Sequence, residues 1–242
     1  MRLGPCAALV AIVLGIAACT SPPHPRTAPT PPPVSAFSPA PESPSPTSST
    51  AQVTAWVDAA TLSPLTIGAP QPVQETHGPA DVFTDCNKKI AADATVVYAH
   101  HWIWVGNKVP FVDHAVFAYP GPAAQVVKQI KARANSCKSY QRNELGAGKT
   151  TVQFVAAYAF RPLAGIDGWY AFCEKDTTVP PASQKGQVAN VSYFCMAAFS
   201  RGNVLATVRV SGEQPTIASA RAALAPVLPL GEKALVDAVP TR

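Results

Sequence analysis

The sequence predicts an α+β domain of antiparallel strands and amphipathic helices that follows an export signal and a proline-rich linker. Three observations carry this prediction. Runs of β-branched and aromatic residues are separated by short turn sequences, which favours strands joined by hairpins. Other segments repeat apolar residues at i, i+3 and i+4, which indicates helices. Four cysteines follow the linker, and an even number in an exported domain indicates two disulfides.

The first 18 residues have the parts of an export signal. Arg2 supplies positive charge, and the run from Cys6 to Ile16 supplies the apolar segment. Ile16-Ala17-Ala18 then precedes Cys19, which resembles the lipobox of bacterial lipoproteins. In that family the cysteine thiol carries diacylglycerol and the leader is removed in front of it. The resemblance implies lipidation of Cys19 by acyl chains such as palmitate. It places the chain at the cell membrane, on its extracytoplasmic face.

Two other interpretations of the leader stay open. A transmembrane helix would need about 20 apolar residues, and this run is shorter. An ordinary signal peptide cut near Ala17-Ala18 would leave Cys19 incidental.

Residues 19–50 form the predicted linker. Thr20 to Thr50 holds eleven prolines and twelve serines or threonines, with Phe37 as its one aromatic residue. Such a composition cannot bury enough apolar surface to fold, and its prolines favour an extended chain. We interpret it as a disordered spacer, bare or O-glycosylated.

Residues 51–242 form the predicted domain, which is long enough for one sizeable core. The whole chain carries a net charge of +5, of which Arg2 belongs to the leader. The basic residues are spread along the sequence without a lysine or arginine cluster, which argues against nucleic acid as a partner.

The first half of the domain is predicted to hold one helix and three strands. Val53, Trp56, Val57 and Ala60 share one helical face, which predicts a helix over Ala51–Ala60. Residues 66–81 are rich in glycine and proline and predict an irregular connection. The β-branched and aromatic composition of the next segments predicts strands, with a turn at Gly106-Asn107-Lys108. These strands are Ala94–Ala99, His101–Val105 and Phe111–Tyr119.

Pro120-Gly121-Pro122 ends the third strand and begins a helix that reaches Cys137. The apolar stripe of this helix consists of Ala123, Val126, Val127, Ile130 and Ala134.

Strands and then helices fill the rest of the domain. The predicted strands are Thr150–Phe160, Trp169–Cys173, Val188–Phe199 and Val204–Val210. A polar loop over Thr177–Gly186 and a hairpin turn at Arg201-Gly202-Asn203 connect them. The predicted helices are Pro215–Ala225 and a short one over Glu232–Val239, with Pro226 and Pro229 between them.

The four domain cysteines, Cys86, Cys137, Cys173 and Cys195, allow three disulfide connectivities. A bond from Cys86 to Cys137 would fix the central helix against the strands before it. Cys173 and Cys195 flank a single loop between neighbouring strands, which makes a bond between them the simplest pairing.

Three parts of the domain resemble the PknH-type extracellular sensor domain. They are the strand Val112–Tyr119 with its following helix to Cys137, the segment Gly168–Cys173 and the strand Asn190–Cys195. This domain belongs to actinobacterial Ser/Thr kinases and also occurs on separate lipoproteins. The resemblance covers roughly residues 52–240. It implies an antiparallel central sheet with packed helices, a ligand-binding cleft, and the disulfides Cys86–Cys137 and Cys173–Cys195. Nothing kinase-like precedes this domain, so we expect a scavenger, a decoy or a partner of other envelope proteins.

No catalytic motif is found. The chain has no Gly-x-Ser-x-Gly elbow, and Gly146–Thr150 lacks the leading glycine of a phosphate loop. His100 and His101 face opposite ways on a strand, so only one of them can join His114, and we expect no metal site and no cofactor. Asp113 and His114 likewise face opposite ways, which argues against a dyad.

The aromatic residues are expected to be mostly core, with some lining an apolar pocket. The proposed ligand-binding members are Trp102, Trp104, Tyr119 and Trp169. The sequence therefore predicts a membrane-anchored, non-catalytic domain that binds an unknown small ligand. The alternatives are an envelope hydrolase with an unrecognised active site and a protein that docks on another envelope protein.

Overall fold

A computed structural model describes residues 49–68, 72–104, 111–144, 148–184, 188–212 and 214–240. The predicted leader, Cys19, nearly all of the linker and the turn at Gly106-Asn107-Lys108 lie outside the described residues. None of the helices in these ranges has the length and apolar character needed to cross a membrane.

Eight strands form one sheet in which every neighbouring pair is antiparallel. The strands are β1 (Pro72–His77), β2 (Tyr98–Trp104), β3 (Phe111–Ala118), β4 (Ser139–Glu144), β5 (Gly148–Ala157), β6 (Gly168–Val179), β7 (Asn190–Arg201) and β8 (Val204–Ser211). Their order across the sheet is β1-β2-β3-β8-β7-β6-β5-β4, so β1 and β4 are the edges.

Helices cover both faces of the sheet. They are α1 (Thr50–Ala60), α2 (Ala124–Ser136), α3 (Ile217–Leu224) and α4 (Leu228–Ala238). The Ser49 hydroxyl caps α1 by accepting a hydrogen bond from the backbone N–H of Gln52 at 3.2 Å. The predicted fold class, an α+β domain with a central antiparallel sheet, packed helices and two disulfides, is confirmed.

Alternation along the strands divides the core into two layers. Phe199 and Val208 point toward the layer that contains α1, α3 and α4. Phe172 and Ala198 point to the opposite face, where the predicted stripe of α2 is buried. Neighbouring residues of one strand therefore lie in different layers, and this alternation decides on which face each strand side chain discussed below lies.

Both predicted disulfide pairings are present. Cys173 and Cys195 lie directly opposite each other on β6 and β7 and are completely buried. Cys86 lies in a 3₁₀ turn, Asp85–Asn87, and its bond to Cys137 ties this turn to the end of α2.

The prediction for residues 66–81 was wrong, because β1 lies inside this segment and pairs with β2. The edge strand β4 was also not predicted. Both strands are polar, with Gln74, Glu75 and Thr76 exposed in β1. An edge strand with exposed side chains needs no apolar alternation, so its sequence carries little strand signal.

Among the remaining differences from the prediction, three are the largest. Ala91–Thr95 forms a 3₁₀ helix, so a single strand β2 replaces the two strands expected between Ala94 and Val105. Strand β6 continues to Val179 and so includes the first residues of the expected polar loop. Helix α4 begins at Leu228, because Pro229 lies in its first turn, where no backbone N–H is required.

His114 gives the fold a specific pH dependence. It is completely buried, and burial lowers its pKa to about 3. Between pH 6.5 and 3 the unfolded chain binds a proton at this histidine that the folded chain does not bind, so stability falls as the pH falls. We expect a loss of about 2 kcal/mol between pH 7 and pH 5 from this residue alone.

Urea unfolding at both pH values checks this expectation in the parent chain and in His114→Gln, which has no titrating group at this position. The variant should lose about 2 kcal/mol less than the parent on acidification. Equal losses in the two proteins would contradict the role given to His114.

Candidate functional site

A group of charged residues lies on the α2 face of the sheet, where alternation alone would place apolar side chains. Arg209 on β8 is aligned with Asp113 on β3 and with Met196 on β7. Glu174 on β6 lies on the same face, two residues beyond Phe172. The segment Asp81–Ile90, which the Cys86–Cys137 disulfide holds in place, passes over these residues and supplies Asp85.

Arg209 is the centre of this charged group. Its Nη2 donates to Glu174 Oε2 at 3.2 Å, and its Nη1 lies 3.9 Å from Asp85 Oδ1. The guanidinium carbon is 5.3 Å from the ring centroid of Phe194, within the range of a cation–π interaction. The Tyr140 hydroxyl donates to Asp85 Oδ1 at 2.9 Å. Two carboxylates and an aromatic face thus hold the guanidinium in one orientation.

Burial changes the pKa values of Glu174 and Arg209. Glu174 and Asp85 are 2% and 5% exposed, whereas the Arg209 side chain keeps 22% of its surface. Burial raises the pKa of Glu174, although the positive charge of Arg209 opposes this shift. Burial also disfavours the charged form of Arg209, but the carboxylates of Asp85 and Glu174 outweigh it and raise the pKa of the guanidinium. Arg209 therefore stays charged although its side chain is mostly buried.

A cavity of about 130 Å³ lies between the sheet and the segment that covers these residues; we call it the charged pocket. Its polar lining consists of Asp81, Thr84, Asp85, His101, Asp113, Thr207 and Arg209. Its apolar lining consists of Ala80, Val82, Phe83, Ala115, Phe117 and Met196. The pocket combines hydrogen-bond donors and acceptors with an apolar floor, the composition typical of a small-molecule site.

His101 and Asp113 form an ion pair at the wall of the charged pocket. The His101 Nε2 lies 2.8 Å from Asp113 Oδ1, because the two residues are diagonal neighbours across β2 and β3. The hydrogen bond to Asp113 raises the pKa of His101, with burial opposing it. Among the described residues, no hydroxyl or thiol hydrogen-bonds to the His101 ring, so the pair lacks the nucleophile of a catalytic triad.

The other predicted site residues lie in separate parts of the fold. Trp102 and Trp104 stack on each other on the opposite face, with ring centroids 5.8 Å apart, and Trp104 is completely buried. Tyr119 is 3% exposed beside α2, whereas Trp169 is 41% exposed next to Phe160. None of these four aromatic residues lines the charged pocket, and a ligand-binding role for them stays a prediction.

Sequence analysis did not single out Arg209, Glu174 or Asp85. A signal was present for Arg209, because it interrupts the apolar segment of β8, whereas Glu174 begins the polar half of β6. A charged residue inside such a segment has to be paired when it is buried, and buried charges cluster at functional sites.

Comparison with known proteins adds one structural similarity. No protein-family model matches the chain, and no curated protein matches it. The extracellular domain of PknH from Mycobacterium tuberculosis is similar in structure, with a TM-score of 0.47 and 16% sequence identity. The similarity covers 73% of this chain and 95% of that domain. A similarity of this degree assigns neither family nor function, so the function has to rest on the residues of the chain itself.

Proposed function

We propose that this chain is an extracytoplasmic lipoprotein whose domain binds a small polar ligand without transforming it. The observation that carries the proposal is the charged pocket, in which Arg209, Thr207 and the His101–Asp113 pair line one cavity. The described residues offer hydrogen-bonding groups on several sides of this cavity. They bring no nucleophile to His101, which favours binding over catalysis.

The size and charge of the pocket limit the ligand. Sites for drug-sized molecules have volumes of roughly 300–1,000 Å³, so a cavity of about 130 Å³ suits a much smaller compound. Asp85 and Asp113 accept hydrogen bonds and Arg209 donates them, whereas the Thr207 hydroxyl, which donates to the Ala115 carbonyl oxygen, is left as an acceptor. We therefore infer a small ligand with both donor and acceptor groups, such as a polar metabolite.

Filling the cavity tests this proposal. Ala115 is 5% exposed and lines the charged pocket, so Ala115→Leu places a larger side chain in the ligand's space. Thermal unfolding of the full chain against a set of small polar metabolites should find a stabilising compound. We expect Ala115→Leu to weaken binding of that compound at least tenfold, and Ala132→Leu, on the exposed side of α2, to leave it unchanged.

Two results would contradict the proposal. One is the absence of any stabilising compound. The other is a compound that stabilises Ala115→Leu as much as the parent chain, since such a compound would bind elsewhere.

The membrane anchor is the second part of the proposal. The apolar leader and the sequence Ile16-Ala17-Ala18 before Cys19 support lipidation of that cysteine. Two disulfides in the domain also fit an oxidising compartment outside the cytoplasm. Acylation by two or more chains would give a stable anchor.

Expression of Cys19→Ser in a bacterium that lipidates its own lipoproteins tests the anchor. We expect the parent chain to remain with the membrane after a high-salt wash and to incorporate a labelled fatty acid. The variant should not incorporate the label, and Cys6→Ser should behave as the parent. Labelling of Cys19→Ser at the parent level would contradict the anchor.

A further inference from the structure

Two histidines and two carboxylates meet at the β1 edge of the sheet, on the face opposite the charged pocket. His77, the last residue of β1, is paired with His100 on β2, and their ring centroids are 4.0 Å apart. Glu75 lies two residues before His77 on the same strand. Asp58 comes from α1, which packs on this face. We call these four residues the edge cluster.

Glu75 orients both imidazole rings. Its Oε1 lies 2.8 Å from His77 Nε2 and 3.1 Å from His100 Nε2. A carboxylate oxygen only accepts hydrogen bonds, so each histidine donates from Nε2. In the neutral tautomer that makes these bonds, Nδ1 of each ring carries a lone pair and no hydrogen.

Acceptor atoms collect on the Nδ1 side of the rings. His100 Nδ1 lies 3.0 Å from Asp58 Oδ1, and both are acceptors in this tautomer. The Tyr98 hydroxyl lies 2.9 Å from His77 Nδ1 and 3.1 Å from Asp58 Oδ1, and its single hydrogen serves only one of them. Three acceptor atoms, His77 Nδ1, His100 Nδ1 and Asp58 Oδ1, thus share the single hydrogen of the Tyr98 hydroxyl. A bound cation would interact favourably with all three acceptors.

We propose that the edge cluster binds a divalent transition-metal ion, with Zn²⁺ as the best match, through His77, His100 and Asp58. The ligand atoms of these three residues lie within 4.8 Å of one another. Two imidazoles and one carboxylate are preferred zinc ligands, and three protein ligands leave a fourth position for water. Glu75 then takes the role of the carboxylate that accepts the second N–H of a metal-bound histidine.

The side chains of the edge cluster have to move closer together to coordinate an ion, and their exposure allows this movement. Tetrahedral zinc with bonds of about 2.0–2.1 Å brings its ligand atoms to roughly 3.4 Å from one another. The side chains of His77 and Asp58 are 48% and 46% exposed and are free to move inward, whereas His100 is 9% exposed and fixed. The bound ion would join α1 to β1 and β2. It shares no residue with the charged pocket, so the two sites are tested independently.

Calorimetric titration of Zn²⁺ into the metal-stripped full chain tests the proposal. We expect binding of one equivalent, and a rise in the thermal midpoint of roughly 5–10 °C at a hundredfold excess over the dissociation constant. His77→Gln and Asp58→Asn should each weaken binding at least tenfold, and Glu75→Gln should weaken it about 10–100-fold. All three residues are exposed, so the variants are expected to fold, which circular dichroism checks.

Asp237→Asn is the matched control, because Asp237 is an exposed helical carboxylate outside the edge cluster and pairs with Lys233. It should bind Zn²⁺ as the parent does. The proposal is overturned if the stripped chain shows no heat of binding and no thermal shift. It is also overturned if folded His77→Gln and Asp58→Asn bind Zn²⁺ with the parent affinity.

Discussion

Replacing Cys86 and Cys137 together with alanine is expected to lower the free energy of unfolding by about 4 kcal/mol. The bond joins residues 51 positions apart, and in the chain-entropy model a loop of this length gives about that stabilisation. The matched variant, Cys173→Ala with Cys195→Ala, opens a bond across 22 positions and should cost about 3 kcal/mol from the same source. Urea unfolding of both variants measures the two losses.

The two disulfides should also differ in their effect on the charged pocket. Cys86 and Asn87 have φ values of 65° and 52°, in the left-handed region that residues other than glycine seldom adopt. The bond to Cys137 holds this turn, and the preceding residues Val82–Asp85 form a wall of the charged pocket. Without the bond the turn can relax, so ligand affinity should fall together with stability.

The Cys173–Cys195 bond lies on the other face of the sheet, in the layer of α1, α3 and α4. Its removal should therefore leave ligand affinity nearly unchanged under conditions in which the variant is folded. A larger loss of affinity from this pair than from Cys86 and Cys137 would show that the turn does not shape the pocket.

The parts of the fold that are visible in the sequence are those in which burial dictates residue type. Strands β7 and β8 lie in the middle of the sheet, and their apolar runs and the turn at Gly202 predict their ends to within about two residues. Helix α2 is visible because its buried stripe repeats with helical period. The edge strands β1 and β4 have too few buried side chains to impose a pattern.

Both candidate sites depend on information that a single sequence does not hold. Glu174 and Arg209 are 35 positions apart and meet only because β7 lies between their strands. His77 meets His100 only through the pairing of β1 with β2, and β1 is one of the strands without a sequence signal. Among the aromatic residues predicted to bind a ligand, Trp104 is completely buried in the core, where bulk and apolarity favour packing.

Replacing Arg209 with methionine is expected to lower the free energy of unfolding by about 3 kcal/mol. Methionine keeps much of the apolar contact with Phe194, but it leaves Glu174 and Asp85 buried without their cation. Removing one partner of a buried ion pair costs about 3–5 kcal/mol, and the partial exposure of Arg209 places this case at the lower end. Urea unfolding at pH 8 measures the loss.

The matched control is Arg221→Met on α3. The guanidinium carbon of Arg221 lies 5.5 Å from the ring centroid of Tyr158, a cation–π contact worth less than about 1 kcal/mol at a partly exposed site. A double variant, Arg209→Met with Glu174→Gln, should recover part of the stability lost in the single variant, because it removes the unpaired charge. Equal stability of the single and double variants would contradict a charge-based explanation.

The pH dependence of the free energy of unfolding shows whether Arg209→Met is destabilised by the lost charge or by lost packing. Burial already raises the pKa of Glu174, and removing Arg209 removes the charge that opposes this shift. The folded variant then holds a proton on Glu174 at pH values where the unfolded chain has released it, so acidification stabilises the fold. The pKa of Glu174 is already raised to about 8 in the parent, so the parent gains the same stabilisation below that pH. The deficit of Arg209→Met relative to the parent should therefore narrow as the pH falls from 10 to 8 and stay nearly constant below 8. A deficit that stays constant between pH 10 and pH 8 would assign the effect to packing, and Arg209 would no longer explain how the carboxylates of Glu174 and Asp85 are held in the core beside the charged pocket.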